Sequence, residues 1–187
     1  MPGVYGRDAL ARVWQVLECE GLIHQAFWDR ASTPETCGDL ASFIKTFDGN
    51  PSTQLAMIEG PPDGKLIGCI WCSEIVPQHQ AFISIALTNA GRPSAMEAGT
   101  QAIDYAFQTW DLYQLWAITP WHRALALSKQ LGFEKVATLP AYCRFPDRVY
   151  DAHLVRLTKE GWYGHSRDSS SNSRSRVPCR GRAVHGR

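Results

Sequence analysis

An apolar run, Phe82-Ile83-Ser84-Ile85-Ala86-Leu87, turns through Thr88-Asn89-Ala90-Gly91-Arg92-Pro93-Ser94 into a long amphipathic segment. In that segment Ala95, Ala98, Ala102, Ile103, Ala106, Phe107 and Trp110 recur at helical spacing. A strand that feeds a helix through a tight turn is the opening of a β-α-β unit, which restricts the chain to folds with a partly parallel sheet. The same junction puts backbone N–H groups and the positive end of a helix dipole at the turn. That is an anion site, and most naturally a phosphate site. Pro93 stands in the turn where such loops usually hold a glycine, and it has no N–H to offer.

The flanking segments place this unit in a larger order. Arg7 to Glu20 reads as a helix carrying Leu10, Val13, Trp14 and Leu17 on one stripe. Thr33-Pro34 reads as the start of a second helix with Leu40, Phe43, Ile44 and Phe47, stopped by Asp48-Gly49-Asn50-Pro51. Gln54–Glu59 and Lys65–Ile75 read as a hairpin around Gly60-Pro61-Pro62-Asp63-Gly64, and Gln80–Leu87 as a third strand. After the Ser94–Trp110 helix come a strand at Tyr113–Thr119, a helix at His122–Leu131 stopped by Gly132, and strands at Lys135–Leu139 and Val149–Leu157. The order α-α-β-β-β-α-β-α-β-β predicts an α/β fold with a mixed central sheet and helices on both faces.

Composition narrows the class. An apolar fraction of 44% and a charged fraction of 20% fit a soluble globular chain. No apolar run approaches a membrane span, and Met1–Arg7 lacks the apolar core of a signal peptide, so the expectation is a cytoplasmic protein with no membrane partner. Six scattered cysteines read as free thiols. Cys69 and Cys72 form a CxxC, but residues three apart on a strand face opposite ways, so neither a redox pair nor a metal site is expected. The net charge of +1 divides unevenly: residues 163–187 carry +5, which leaves −4 on residues 1–162. The predicted organisation is therefore a folded domain over 1–162 and a basic, Ser/Arg-rich, disordered tail over 163–187. A nucleic acid or other acidic partner is expected through the tail only.

Three local patterns carry a resemblance. They are Ala95-Met96-Glu97-Ala98 followed by Ile103-Asp104-Tyr105-Ala106-Phe107, then Ser128-Lys129-Gln130-Leu131-Gly132-Phe133, then Tyr150–Trp162 with its Leu157-Thr158-Lys159-Glu160-Gly161-Trp162 close. In this order and spacing, over roughly Lys65–Trp162, the chain resembles the GNAT family of acyl-CoA-dependent N-acetyltransferases. Within it the chain looks closest to the RimJ/RimL-like branch, and its degenerate loop looks similar to small stand-alone members of phage genomes. The resemblance implies a central sheet splayed in its middle, with acetyl-CoA as co-substrate and an amine of a protein or small molecule as acceptor. It implies that the pantetheine pairs with the strand ending at Leu87. It implies that the diphosphate meets Asn89, Gly91, Arg92, Ser94 and Ala95. It gives Trp121 the position of a cofactor-contacting asparagine, and Ser128 that of a tyrosine acid for the departing thiolate. The segment near Pro140–Arg148 and the N-terminal helices would select the acceptor.

The chain departs from the family pattern at these points. Aligned on Ala95-Met96-Glu97-Ala98, Gly91 and Pro93 take the two glycine positions and Thr88 a basic or glutamine position. Losing one N–H to a charged acceptor costs about 1.5–3 kcal/mol, roughly tenfold to a hundredfold in affinity. Arg92 offsets part of this if it reaches the phosphate. Pro93 reads equally as an ordinary helix starter. For a base, Glu74 at the end of its strand, His79 and His122 are the candidates; each reads also as a solvated strand end, a turn residue or a helix start. Two functions follow. One is an acetyl-CoA-dependent N-acetyltransferase with Glu74 and Ser128 in catalytic roles. The other is a catalytically silent GNAT-like protein working through protein contacts, in a virion or on a host factor. Oligomeric state stays open.

Overall fold

The computed structural model describes residues 6–26, 29–30, 39–60, 63–145 and 148–164. Two helices, α1 (Arg7–Cys19) and α2 (Ile23–Ala26), precede a short strand β1 (Asp29–Arg30) and helix α3 (Leu40–Phe47). Strands β2 (Gln54–Gly60), β3 (Lys65–Val76) and β4 (Gln80–Leu87) follow, then a 3₁₀ turn (Arg92–Ser94) running into α4 (Ala95–Trp110). The chain continues through β5 (Gln114–Thr119), α5 (His122–Gln130), β6 (Glu134–Arg144) and β7 (Val149–Thr158), with helical residues at 159–164.

The strands form one seven-stranded sheet in the order β1-β6-β7-β5-β4-β3-β2. Only β4 and β5 run parallel. They pair at Gln80–Phe82 against Gln114–Trp116 and then part. Beyond that point β4 stays on β3 as far as Leu87, and β5 stays on β7 as far as Thr119. The sheet is therefore splayed in its middle.

Each face of the sheet has its own core. On one, Leu10, Val13 and Leu17 of α1 and Phe43 of α3 pack on Leu55, Cys69 and Trp71. On the other, Ile103, Ala106 and Phe107 of α4 pack with Leu131, Phe133 and Trp162 on Cys72, Leu115 and Val155. Cys69 and Cys72 thus face opposite cores, and burial pushes both thiols up to about 12. The Trp162 indole N–H donates to the Asp104 carboxylate at 2.7 Å, which ties the helical residues after β7 to α4.

Four expectations change. The proposed helix start at Thr33-Pro34 lies outside the described residues; α3 begins at Leu40, where the Asp39 carboxylate accepts from Ser42 N–H at 2.9 Å. The small elements α2 and β1 carry no periodic signal long enough to read. β3 reaches Val76 through a bulge at Glu74, whose φ of 51° turns the strand so that Ile75 joins the same core as Cys72. β6 continues past Leu139 to Arg144 through a second irregularity, where Ala141 has φ 49° and its N–H donates to Asp151. That break is also what allows Pro140 to sit inside a paired strand. Of the predicted tail, residues 165–187 lie outside the described residues. Among the described residues no helix is long and apolar enough to cross a membrane.

Candidate active site

The parting of β4 and β5 opens a cavity of about 300 Å³. Ile83, Ser84 and Ile85 line one wall and Ala117, Ile118 and Thr119 the other. Gly99 and Ile103 of α4 with Ala124, Leu127 and Ser128 of α5 close it on one face of the sheet, while Ala26 of α2 and Thr46 of α3 close it on the opposite face. The cavity thus passes through the sheet, and molecules entering from the two faces meet at the splay. Its polar lining residues are the hydroxyl-bearing Thr46, Ser73, Ser84, Thr119 and Ser128 and the indoles Trp71 and Trp121, beside two strand edges that have no strand between them. Among the described residues none that lines it is ionisable. Among the described residues no cluster of His, Cys, Asp and Glu is suited to a metal ion.

A slot of this kind fits the amide-bearing pantetheine arm of an acyl thioester: apolar walls for its methylenes and strand edges for its amides. The loop after β4 is different. Thr88 is buried, and its N–H and hydroxyl both donate to the Ile67 carbonyl at 3.0 Å. Gly91 N–H donates back to the Thr88 carbonyl at 3.0 Å and hydroxyl at 3.2 Å. The 3₁₀ turn then takes Ser94 N–H to the Gly91 carbonyl and Ala95 N–H to the Arg92 carbonyl. Pro93 has no N–H. Asn89 N–H and its side-chain amide both donate to the Glu20 carboxylate, at 3.3 and 3.1 Å. Of the expected diphosphate contacts, Asn89, Gly91, Ser94 and Ala95 have their main-chain donors engaged within the chain, while the Arg92 side chain is exposed. Gly91 has an ordinary φ of −82°, and a Cβ there would overlap the Ile67 carbonyl oxygen. Its missing side chain makes room for β3.

Other expected site residues divide between the cleft and the surface. Leu87 ends β4 opposite Gly68, and Arg92 is exposed. Ser128 lines the cavity with its hydroxyl donated to the Ala124 carbonyl at 2.9 Å. Trp121 lines it too, anchored where its N–H donates to the Thr119 hydroxyl at 3.1 Å, and packs on Phe145 and Tyr150 with ring centroids 5.3 and 5.5 Å away. Glu74 is exposed on its bulge and is not part of the lining, although its neighbour Ser73 is. His79 caps the turn before β4, its carbonyl accepting from Tyr113 and Gln114. His122 is exposed at the start of α5. Tyr105 meets Trp110 edge-on and lines a separate groove along β2.

Sequence reasoning missed His153. It pairs in register with Thr119, its ring centroid lies 6.0 Å from that of His122, and its Nδ1 is buried without a partner. Loss of solvation, then the charges of Lys135 and His122, hold its pKa below the ordinary value of 6.5. Only knowledge of the β5–β7 register, absent from any local pattern, would have found it.

No protein-family model and no curated protein sequence matches the chain. Solved structures do. A point mutant of the spermidine N-acetyltransferase SpeG from Vibrio cholerae superimposes with a TM-score of 0.70 at 16% identity, covering 87% of this chain and 96% of that one. The Vibrio cholerae spermidine N-acetyltransferase in complex with CoA and spermine gives 0.69 at 17% identity, covering 85% and 95%. A dodecameric form of that enzyme in an intermediate state gives 0.69 at 17%, covering 87% and 95%. The chain has the acyl-CoA N-acyltransferase fold of the GNAT enzymes.

Proposed function

We propose that the chain is an acetyl-CoA-dependent N-acetyltransferase in which an amine attacks the thioester carbonyl directly. One observation carries this reading: the cavity through the splayed sheet, apolar and lined from both faces, where a thioester from the α4–α5 side meets an acceptor from the α2–α3 side. In the reaction the amine nitrogen forms a bond to the carbonyl carbon, the C–S bond breaks, and the thiolate takes a proton as the amine loses one. Main-chain N–H groups on the free edge of β4 polarise the carbonyl. Ser128, released from the Ala124 carbonyl, donates a hydrogen bond to the departing thiolate, a group that needs little help to leave and takes its proton from solvent. The amine's proton goes to water, with Glu74 its terminal acceptor beside cleft-lining Ser73. The structural neighbours are spermidine N-acetyltransferases, one of them in complex with CoA and spermine, and the −4 charge of residues 1–162 suits a cationic amine. A RimJ/RimL-like chain would take a protein amine instead. Thiol release from acetyl-CoA, measured with a panel of polyamines and peptide amines, is the test. Acceptor-dependent release supports the reading; no release with any amine, together with no acetyl-CoA binding, rejects it.

A second reading has its own observation. The engaged donors of the loop around Pro93 suit a GNAT-like protein that has lost turnover and works through protein contacts. Turnover with any amine rejects it.

A further inference from the structure

We propose that this site recognises its thioester substrate by the pantetheine arm, and that the adenine-diphosphate half of CoA adds little to binding. The proposal rests on the N-acyltransferase reading above and defines the substrate class by the part recognised: pantetheine thioesters, whatever is attached beyond the arm. The slot that would take the arm is built, apolar and flanked by two strand edges. The loop that would take the diphosphate is closed on itself. Thr88, Gly91, Ser94 and Ala95 direct their N–H groups at chain carbonyls, and Pro93 has none. A carboxylate, Glu20, already occupies the two donors of Asn89, and its negative charge opposes a diphosphate there. The Cβ side of Gly91 is taken by the Ile67 carbonyl, so the glycine is accounted for by packing against β3. Arg92 is the remaining attraction, exposed on the surface where salt screens it. The chemistry is indifferent to the missing half: the amine acquires the acyl group and the same pantetheine thiol departs.

The experiment titrates CoA, pantetheine and ADP separately into the folded chain at one ionic strength and compares dissociation constants. The expected result is CoA and pantetheine within about tenfold of each other, which is about 1.4 kcal/mol, and no binding of ADP at millimolar concentration. Pro93→Gly, which supplies an N–H and loosens the 3₁₀ turn, tightens CoA about tenfold and leaves pantetheine unchanged. CoA binding more than tenfold tighter than pantetheine to the wild type overturns the proposal while leaving the acyltransferase reading intact. A Pro93→Gly gain shared equally by pantetheine overturns it as well. No binding of either thiol overturns both.

Discussion

Gly91→Ala separates two meanings of a glycine in a phosphate-type loop. If the glycine serves a ligand, alanine weakens binding and leaves the fold alone. Here a Cβ would overlap the Ile67 carbonyl oxygen and lie 3.2 Å from its carbon and 3.3 Å from the Ile67 Cβ. Those are backbone and branch-point atoms of β3, and the carbonyl also accepts from the Thr88 N–H and hydroxyl, so no flexible side chain can move aside. Overpacking costs about 1–3 kcal/mol, and a rigid obstacle puts this site near the top of that range. For a chain of this size each kcal/mol moves the melting temperature by about 2–4 °C, so the expected loss is about 6–12 °C. Differential scanning fluorimetry and urea unfolding of the two proteins, without ligand, measure it. A variant that melts within about 2 °C of the wild type and binds CoA much more weakly would refute the packing argument and restore the ligand role.

Other expectations follow from single contacts. Asp104→Ala leaves the buried Trp162 indole N–H without its 2.7 Å acceptor and should lower stability by about 1.5–3 kcal/mol in urea unfolding; an unchanged midpoint would remove that bond from the account. His153 has a folded pKa below 6.5, so the unfolded chain takes the proton first: stability is full above pH 6.5 and falls as pH drops toward the folded value. Replacement by Gln should flatten that fall, and an equal slope in the variant would contradict the assignment. Among the described cysteines, Cys19 is exposed while burial pushes Cys69, Cys72 and Cys143 up to about 12, so a thiol reagent at neutral pH should modify Cys19 alone among these four until the protein unfolds.

Much of this architecture is legible in the chain because its signals are local. The stripe of Leu10, Val13 and Leu17 is the buried face of α1, and the run Phe82–Leu87 followed by the Ala95–Trp110 periodicity is the β4–α4 unit. Features that depend on distant partners are not legible. Gly91 reads as a phosphate glycine in the sequence, while its packing against the Ile67 carbonyl depends on another strand. The bulges at Glu74 and Ala141 need φ values of 51° and 49° that neither residue advertises. The loop's donors could be counted in the sequence, with Pro93 lacking one, but that Glu20 and the 3₁₀ turn engage the others could not. The cavity combines both kinds: Ser128 and Trp121 could be placed by motif, whereas Ser73, Thr46 and Ala26 reach it only through the folded sheet.

Calorimetric titration of acetyl-CoA into the wild type and into Ala117→Phe, a change that fills the slot between β4 and β5, tests the central claim most directly. Saturable heat from the wild type, and none from a variant that keeps its near-UV spectrum, is the predicted result. No heat from the wild type at millimolar ligand, or equal heat from the filled slot, would contradict it.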